Sequence, residues 1–303
     1  MAYARSTRAQ LSDADRRSVL GLTRGAESRD GQPPLSDQAL ARLRSAEVRH
    51  LLVHDGSALV GYAQLDGTAL ELVGEPDAVL ELLLDDAEGL SSELHVWSRG
   101  RSSRLAGPLA ARGYHRERAL HQLRLSDLAG QAAPLARGVT VRAFVPGVDE
   151  LAWLRVNAAA FATHPEQGRW TREDLLAREA EPWFDPAGFL LAVRDTDAAL
   201  LGFHWTKIHD DGTGEVYVLG IDPAAQGLGL GASLLRLGLD RLRERGCTQV
   251  LLYVDGDNRA ARALYAGAGF VEHDEDSQWR RRSPAINLTH PVRPSDPPSV
   301  AGE

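Results

Sequence analysis

The chain has 303 residues, 43% hydrophobic and 25% charged, with 42 acidic against 34 basic side chains and a net charge of −8, an ordinary globular composition. Its length favours two domains, each with a full core. No run of about 18 apolar residues occurs and no apolar leader follows Arg5 and Arg8, which argues against membrane spanning and secretion and for a cytoplasmic chain. The single cysteine, Cys247, excludes an internal disulfide and a cysteine-rich metal site, fits a reducing compartment, and is read as inert packing. Negative charge without a Lys/Arg cluster argues against a nucleic-acid partner. Lys207 is the only lysine, so any lysine-dependent chemistry has one address.

In the first half, the pattern predicts helices over 13–22 and 36–44 and strands over 50–54, 59–65 and 69–74. A helix over 77–84, a strand over 93–97, a helix over 102–112 and a strand over 119–125 come next. The segment Leu128–Gly138 (LAGQAAPLARG) is small, Gly/Pro-bearing and without periodicity, and is read as a linker.

The second half predicts a strand over 139–144, a helix over 149–161, and strands over 189–193, 200–207 and 215–221, the last ending at Asp222-Pro223. A long helix over 227–245 carries an apolar stripe of Leu228, Leu230, Leu234, Leu235, Leu239 and Leu242. A strand over 249–254, a helix over 258–266 and a closing strand near Phe270 complete it. The tail from Ser283 to Glu303, with five prolines, is expected to be disordered. Glu75-Pro76 mirrors Asp222-Pro223, and Leu94–Trp97 with Gly113-Tyr114 mirrors Leu251–Val254 with Gly269-Phe270, the trace of a weak internal repeat.

The most informative stretch runs from Glu215 to Ala232 and sets a glycine-rich turn between a buried strand and the start of a helix. Unpaired N–H groups and the positive end of the helix dipole make an anion site there, and glycines let phosphate oxygens reach the main chain. A pyrophosphate-bearing cofactor is implied. Gly227, Gly229 and Gly231 give Gly-x-Gly-x-Gly, which is not the Gly-x-Gly-x-x-Gly of a dinucleotide fold, and the Gly-Lys-Ser/Thr of a Walker loop is absent.

What fits is Gln226-x-x-Gly229-x-Gly231, followed by Asp257-Asn258, Leu264-Tyr265 and Gly267-Ala268-Gly269-Phe270. In loop, strand and Asn-to-Phe ending the chain resembles the GNAT acetyltransferase superfamily. The resemblance implies an α/β (mixed α+β) fold of two tandem GNAT domains, each a twisted mixed sheet with helices on both faces. Their expected bounds are 1–128 and 139–282, with 129–138 as linker and 283–303 as tail. It also implies acetyl-CoA as cosubstrate and no metal. Leu219, Gly220 and Ile221 would bulge from their neighbour and expose main chain to pantetheine. Gln226, Gly227, Leu228, Gly229, Leu230, Gly231 and Ala232 would hold the pyrophosphate. Asn258, Arg259, Ala260, Ala261, Arg262 and Ala263 would line the cofactor's other side.

Amide formation from a thioester needs a neutral amine, a polarised carbonyl and a proton for the departing thiolate. By the resemblance, Glu215 draws the proton from the ammonium, directly or through water, and Tyr265 stands where the family's general acid stands. The plain alternatives are a solvated strand-end carboxylate and an aromatic packed under the sheet.

The phrases Phe161-x-x-His164-Pro165-Glu166-Gln167-Gly168-x-Trp170, Glu181-Pro182-Trp183-Phe184-Asp185 and Gly202-Phe203-His204-Trp205-Thr206-Lys207, with Gln32–Asp37 in the first half, are similar to those of the mycothiol synthase family, monomeric tandem-domain GNAT enzymes that acetylate the cysteinyl amine of cysteinyl-glucosaminyl-inositol. That resemblance implies a small amino-sugar polyol substrate bound by Asp37, Glu166, Lys207, Glu215 and Tyr253. Asp37 stands where the family has Glu, and serves equally as a helix N-terminal residue. Lys207 is also readable as a surface cation, and His164 as a structural or substrate-rim residue. The first half departs more: Pro76 to Gly113 spans 113 − 76 = 37 positions against 269 − 223 = 46 from Pro223 to Gly269, and Leu109 takes the place of Tyr265. Catalysis is not expected there, and Leu72, Val73 and Gly74 are at most a weak second cofactor contact beside a scaffold role. A GNAT acting on another small amine, and a non-catalytic acyl-CoA sensor, remain open on the residues alone.

Overall fold

The computed structural model describes residues 3–101, 103–128, 134–164 and 167–281. Glu166, the middle of the Leu128–Gly138 segment and the tail from Ser283 lie outside the described residues. The contacts divide the chain into two compact units that alternate along the sequence: residues up to Trp97, Arg104–Arg116 and the chain from Trp279 form the first, Ser98–Ser103 and Glu117–Gln278 the second. The expected bounds at 128 and 139 differ from this division.

In the first unit the elements are β1 (Ala4–Arg8), α1 (Asp13–Asp30), α2 (Asp37–Ala41), β2 (Arg49–Asp55), β3 (Ala58–Asp66), β4 (Ala69–Gly74), α3 (Asp77–Leu90), β5 (His95–Ser98) and α4 (Ala106–Ala111). Strand order is β1-β2-β3-β4-β5. All pairs are antiparallel except β4 with β5. Strand alternation sends Leu51, Val53 and Ala63 to one face, under Val79, Leu83 and Leu84 of α3, and Leu52, Tyr62 and Val73 to the other, under Val19 and Ala26 of α1. Strand β1 was not expected, because its ARSTR sequence buries no residue fully and carries no apolar signal. Helix α1 runs past its expected end at residue 22; a Ser12/Asp15 capping box opens it and Gly31, at φ 72°, closes it. The expected helix over 102–112 shrinks to Ala106–Ala111.

The second unit contains β6 (Tyr114–Leu125) from Glu117 onward, β7 (Val139–Ala143), α5 (Glu150–Ala160), α6 (Arg172–Glu179), β8 (Phe189–Arg194), β9 (Leu200–Ile208), β10 (Gly214–Ile221), α7 (Leu230–Glu244), β11 (Val250–Asp255), α8 (Arg259–Gly267) and β12 (Val271–Arg281) up to Gln278. Strand order is β12-β6-β11-β10-β9-β8-β7. Strand β6 pairs antiparallel with β11, from Leu125↔Val250 to Leu120↔Asp255. Its alternation announces a strand but carries no information on which neighbour it joins. One face packs Val216, Leu252 and Val254 against Leu235, Leu239 and Leu242 of α7 and Tyr265 of α8. The other builds an aromatic core, in which Trp205 stacks on Phe189 at 4.3 Å and Trp153 meets both edge-on. Helix α6 was missed: it buries only Leu175, although Thr171 and Asp174 form its capping box.

Candidate active site

Strands β10 and β11 run parallel and pair only at Gly214↔Val250 and Glu215↔Leu251. Beyond Glu215 the two separate, while β10 stays paired with β9 to Ile221. The register against β9 shifts between Val216 and Val218, so Tyr217 is an extra residue, a β-bulge. The bulge was expected over 219–221; it lies two residues earlier, and the opening over 219–221 is toward β11. It also changes which amides face that opening. Gly214 N–H reaches the Gln249 carbonyl at 2.9 Å on the β11 side, whereas Asp222 N–H reaches the Leu201 carbonyl at 2.9 Å on the β9 side. Counting back from Asp222 in steps of two turns Gly220 and Val218 toward β9, which leaves the main-chain groups of Leu219 and Ile221 facing the gap.

After β10 the chain makes a short 3-10 turn at Pro223–Ala225 and an exposed loop, then enters α7 at Leu230. The helix starts three residues later than expected because Gly227 and Gly229 sit at φ 83° and 73°, left-handed conformations that glycine adopts without penalty. No side chain caps α7. Its first-turn N–H groups and dipole therefore point into the loop formed by Gln226–Ala232, and no Cβ screens Gly227, Gly229 or Gly231. Buried Ala225, Leu230 and Leu201 anchor the loop from below.

On the α5 face of the sheet, Glu215 stands directly opposite Lys207 across β9 and β10. Both are buried, at 7% and 6% exposure, which removes the surface-cation reading of Lys207. The Lys207 ammonium lies 5.1 Å from the Trp183 ring centre and 5.8 Å from that of Tyr217. His209 Nε2 is 2.8 Å from Glu215 Oε2. Two residues along β11 from Leu251, Tyr253 projects to the same face and its hydroxyl accepts a bond from Gln122 Nε2 at 2.8 Å. Burial pushes that phenol up to about 12, with the Glu215 and Asp276 charges acting the same way. Asp276 is itself held by Arg99 at 2.8 Å and by the Gly100 N–H at 2.8 Å. The structure thus brings Lys207, Glu215 and Tyr253 together and adds His209, Gln122, Arg99 and Asp276, none of which the sequence singled out.

Tyr265 lies on the other face, inside the α7/α8 core, with its ring 5.8 Å from Phe270. Burial raises its phenol well above the ordinary value, so it keeps its proton at neutral pH. The gap between β10 and β11 separates it from Glu215. Asn258 caps α8 by accepting from Ala261 N–H at 3.1 Å, a structural duty for the conspicuous Asn of the sequence motif. Arg259, Ala260 and Ala263 are exposed along α8, and Ala261 and Arg262 are half-buried.

The Acetyltransferase (GNAT) family matches residues 153–270. A mycothiol acetyltransferase of Thermomonospora curvata is 47% identical over 290 residues, covering 90% of this chain and 96% of the relative. One from Geodermatophilus obscurus is 48% identical over 299 residues, with 90% and 96% covered. The chain belongs to the mycothiol acetyltransferase family. A tandem GNAT protein from the clavulanic acid biosynthesis pathway superposes with a TM-score of 0.71 at 19% identity, over 92% of this chain and 98% of that one. A GCN5-related N-acetyltransferase from Sphaerobacter thermophilus gives 0.67 at 23%, over 91% and 95%. The fold is that of the GNAT acyltransferases, and the chain is an acetyltransferase of that class.

The first unit departs from the second at the matching positions. Its β4 and β5 also pair in parallel only at Ala69↔His95 and Leu70↔Val96, but Leu70 points to the α3 face, while the carboxylate on the opposite face, Glu71, is bonded to Ser36 at 2.6 and 2.7 Å; Leu72–Gly74 take the place of the opened strand. Pro76 precedes α3, and the Glu75 and Asp77 carboxylates flank its start, with Arg104 bonded to Asp77 at 2.7 Å and to the Gly74 carbonyl at 3.4 Å. Asp37 is exposed at the first position of α2, as its helix-terminal reading has it. His164 is held within the fold: its Nδ1 accepts the Gln167 N–H at 3.0 Å, and its Nε2 lies 3.4 Å from Asp255, a carboxylate that Arg118 grips at 2.5 and 3.1 Å. Among the described residues, His121, Glu272 and Glu275 bring possible ligand atoms within 4.8 Å of one another, but Arg101 and Arg262 hold Glu272.

Proposed function

We propose that the chain transfers acetyl from acetyl-CoA to the cysteinyl amine of cysteinyl-glucosaminyl-inositol, giving mycothiol. The observation that carries the reading is the juxtaposition of an uncapped, glycine-lined helix start with a strand edge opened just past a buried carboxylate. Acetyl-CoA supplies an acyl thioester and a pyrophosphate handle. The cradle fits that handle: the α7 amides and the flanking Gln226–Ala232 main chain offer donors without a competing side chain.

Leu219 and Ile221 hold the pantetheine arm through main-chain bonds in the β10 gap, with Gly220 between them, and the Leu219 N–H polarises the thioester oxygen. Residues 258–263 of α8 form the opposite wall. Glu215 takes a proton from the ammonium on the α5 face; a cysteinyl α-amine has a pKa near 8, so the demand on the base is modest. Tyr265, still protonated and on the α8 face, gives its proton to the leaving thiolate. Amine and thiolate thus work on opposite sides of the sheet, with the gap as the passage between them. Lys207 and Tyr253 offer a cation and a phenol to substrate hydroxyls beside Glu215, in keeping with a polyol.

The full chain, given acetyl-CoA and cysteinyl-glucosaminyl-inositol, is expected to release one CoA per acetylated product, read by thiol detection and mass spectrometry. Acetylation of other small amines with none of this one would redirect the substrate assignment. CoA binding without turnover on any amine would make the chain a sensor.

A further inference from the structure

Glu215 has a neighbour whose chemistry the roles above leave unused. The carboxylate is buried, its side chain 10% exposed, while the His209 ring is 32% exposed and places Nε2 at 2.8 Å from Oε2. A buried carboxylate is costly unless its lone pairs are occupied. Lys207, opposite on β9, directs its ammonium over the Trp183 and Tyr217 rings. The imidazole is delivered by a pinned turn: His209 N–H bonds the Thr213 carbonyl at 2.9 Å and Gly212 N–H bonds the His209 carbonyl at 2.9 Å. Asp211 accepts the Thr213 N–H at 2.8 Å, and Gly212 takes φ 84° to close the turn. With its main chain fixed on both sides, the ring is held at the carboxylate.

We propose that His209 is the positioning residue of the Glu215 base. It donates its Nε2–H to Oε2, which leaves Oε1 as the oxygen presented to the incoming ammonium. The ammonium N–H bond then breaks and an O–H bond forms at Oε1, while the amine keeps the electron pair with which it attacks. The groups facing this pair are Lys207 from β9, Tyr253 from β11 and Asp211 from the turn. The inference rests on the reading of Glu215 as base.

The test uses H209A, H209Q and E215Q in the full chain, with kcat and both KM values followed against pH and the His209 ring read by nitrogen-15 NMR. H209A is expected to lower kcat about 10-fold, the scale of one hydrogen bond to a charged group, with the acetyl-CoA KM unmoved. H209Q, which keeps a donor, restores most of that kcat. The ring is expected as the Nε2–H tautomer. Wild-type kcat and pH profile in H209A beside a slow E215Q would overturn the inference and leave Glu215 as base. Wild-type turnover in E215Q would instead sink the base itself. A His209 ring found as the Nδ1–H tautomer would overturn the pair whatever the turnover.

Discussion

Each unit contains a parallel strand pair that parts after two residues, β4 with β5 at Ala69 and Leu70, and β10 with β11 at Gly214 and Glu215. The divergence is therefore a property of the fold, and by itself makes no site. The segment that leaves the strand decides. After β10 come left-handed glycines and a helix without a cap; after β4 come Glu75, Pro76 and Asp77, whose carboxylates repel an anion at the α3 start and hold Arg104 there instead. Leu109 stands where the second unit has Tyr265 and is fully buried, and the β4 carboxylate on the face matching that of Glu215, Glu71, is tied to Ser36. In the second unit the opening is joined by an uncapped helix start and by a buried carboxylate at its mouth.

The contrast between Glu215 and Glu71, which is tied to Ser36, carries the heaviest consequence. E215Q should lower kcat/KM for the amine by about 100-fold or more, the range of general-base loss, while the acetyl-CoA KM holds; steady-state kinetics at saturating acetyl-CoA checks it. Next is G231D, which sets a carboxylate at the α7 start as Asp77 is set at α3. A Cβ there meets nothing closer than Leu264 at 3.6 Å, and an acid in the first turn suits the helix dipole. Thermal stability should therefore hold while the acetyl-CoA KM rises about 10-fold or more through lost anion binding.

A smaller effect concerns His204, fully buried in β9 against α7, with Nδ1 at 2.8 Å from the Leu234 carbonyl. Burial lowers its pKa from 6.5 to about 4. Between those values the unfolded chain binds the proton that the folded chain refuses, so this contribution is complete above pH 6.5 and is lost as pH falls toward 4. Its full size is about 3 kcal/mol. Denaturant midpoints measured down that range should fall, and His204 should show no imidazolium signal above pH 5 or so while the protein stays folded.

The glycine-lined helix start was legible because strand, turn and helix start are contiguous and each leaves a local mark: a buried β run, glycines at Gly227 and Gly229, an apolar stripe along α7. Glu215 and Lys207 were legible as residues, but their pairing and burial required the β9–β10 register. His209 lay in a turn that reads as solvent-facing, and Gln122, Arg99 and Asp276 come from segments far from the loop in sequence. The Tyr217 bulge left no composition signal, although it decides that Leu219 and Ile221 face the gap. Likewise Asn258 stood out in the sequence, and its side chain serves α8 as a cap.

If the two helix starts differ as their flanking residues imply, the α7 start, and not its counterpart at α3, holds the diphosphate of the acyl carrier. Isothermal titration of the full chain with CoA, repeated on G231D, separates the two. One CoA per chain is expected in the wild type, with binding weakened about 10-fold or more in G231D; two per chain, or an affinity that G231D leaves untouched, would refute the assignment.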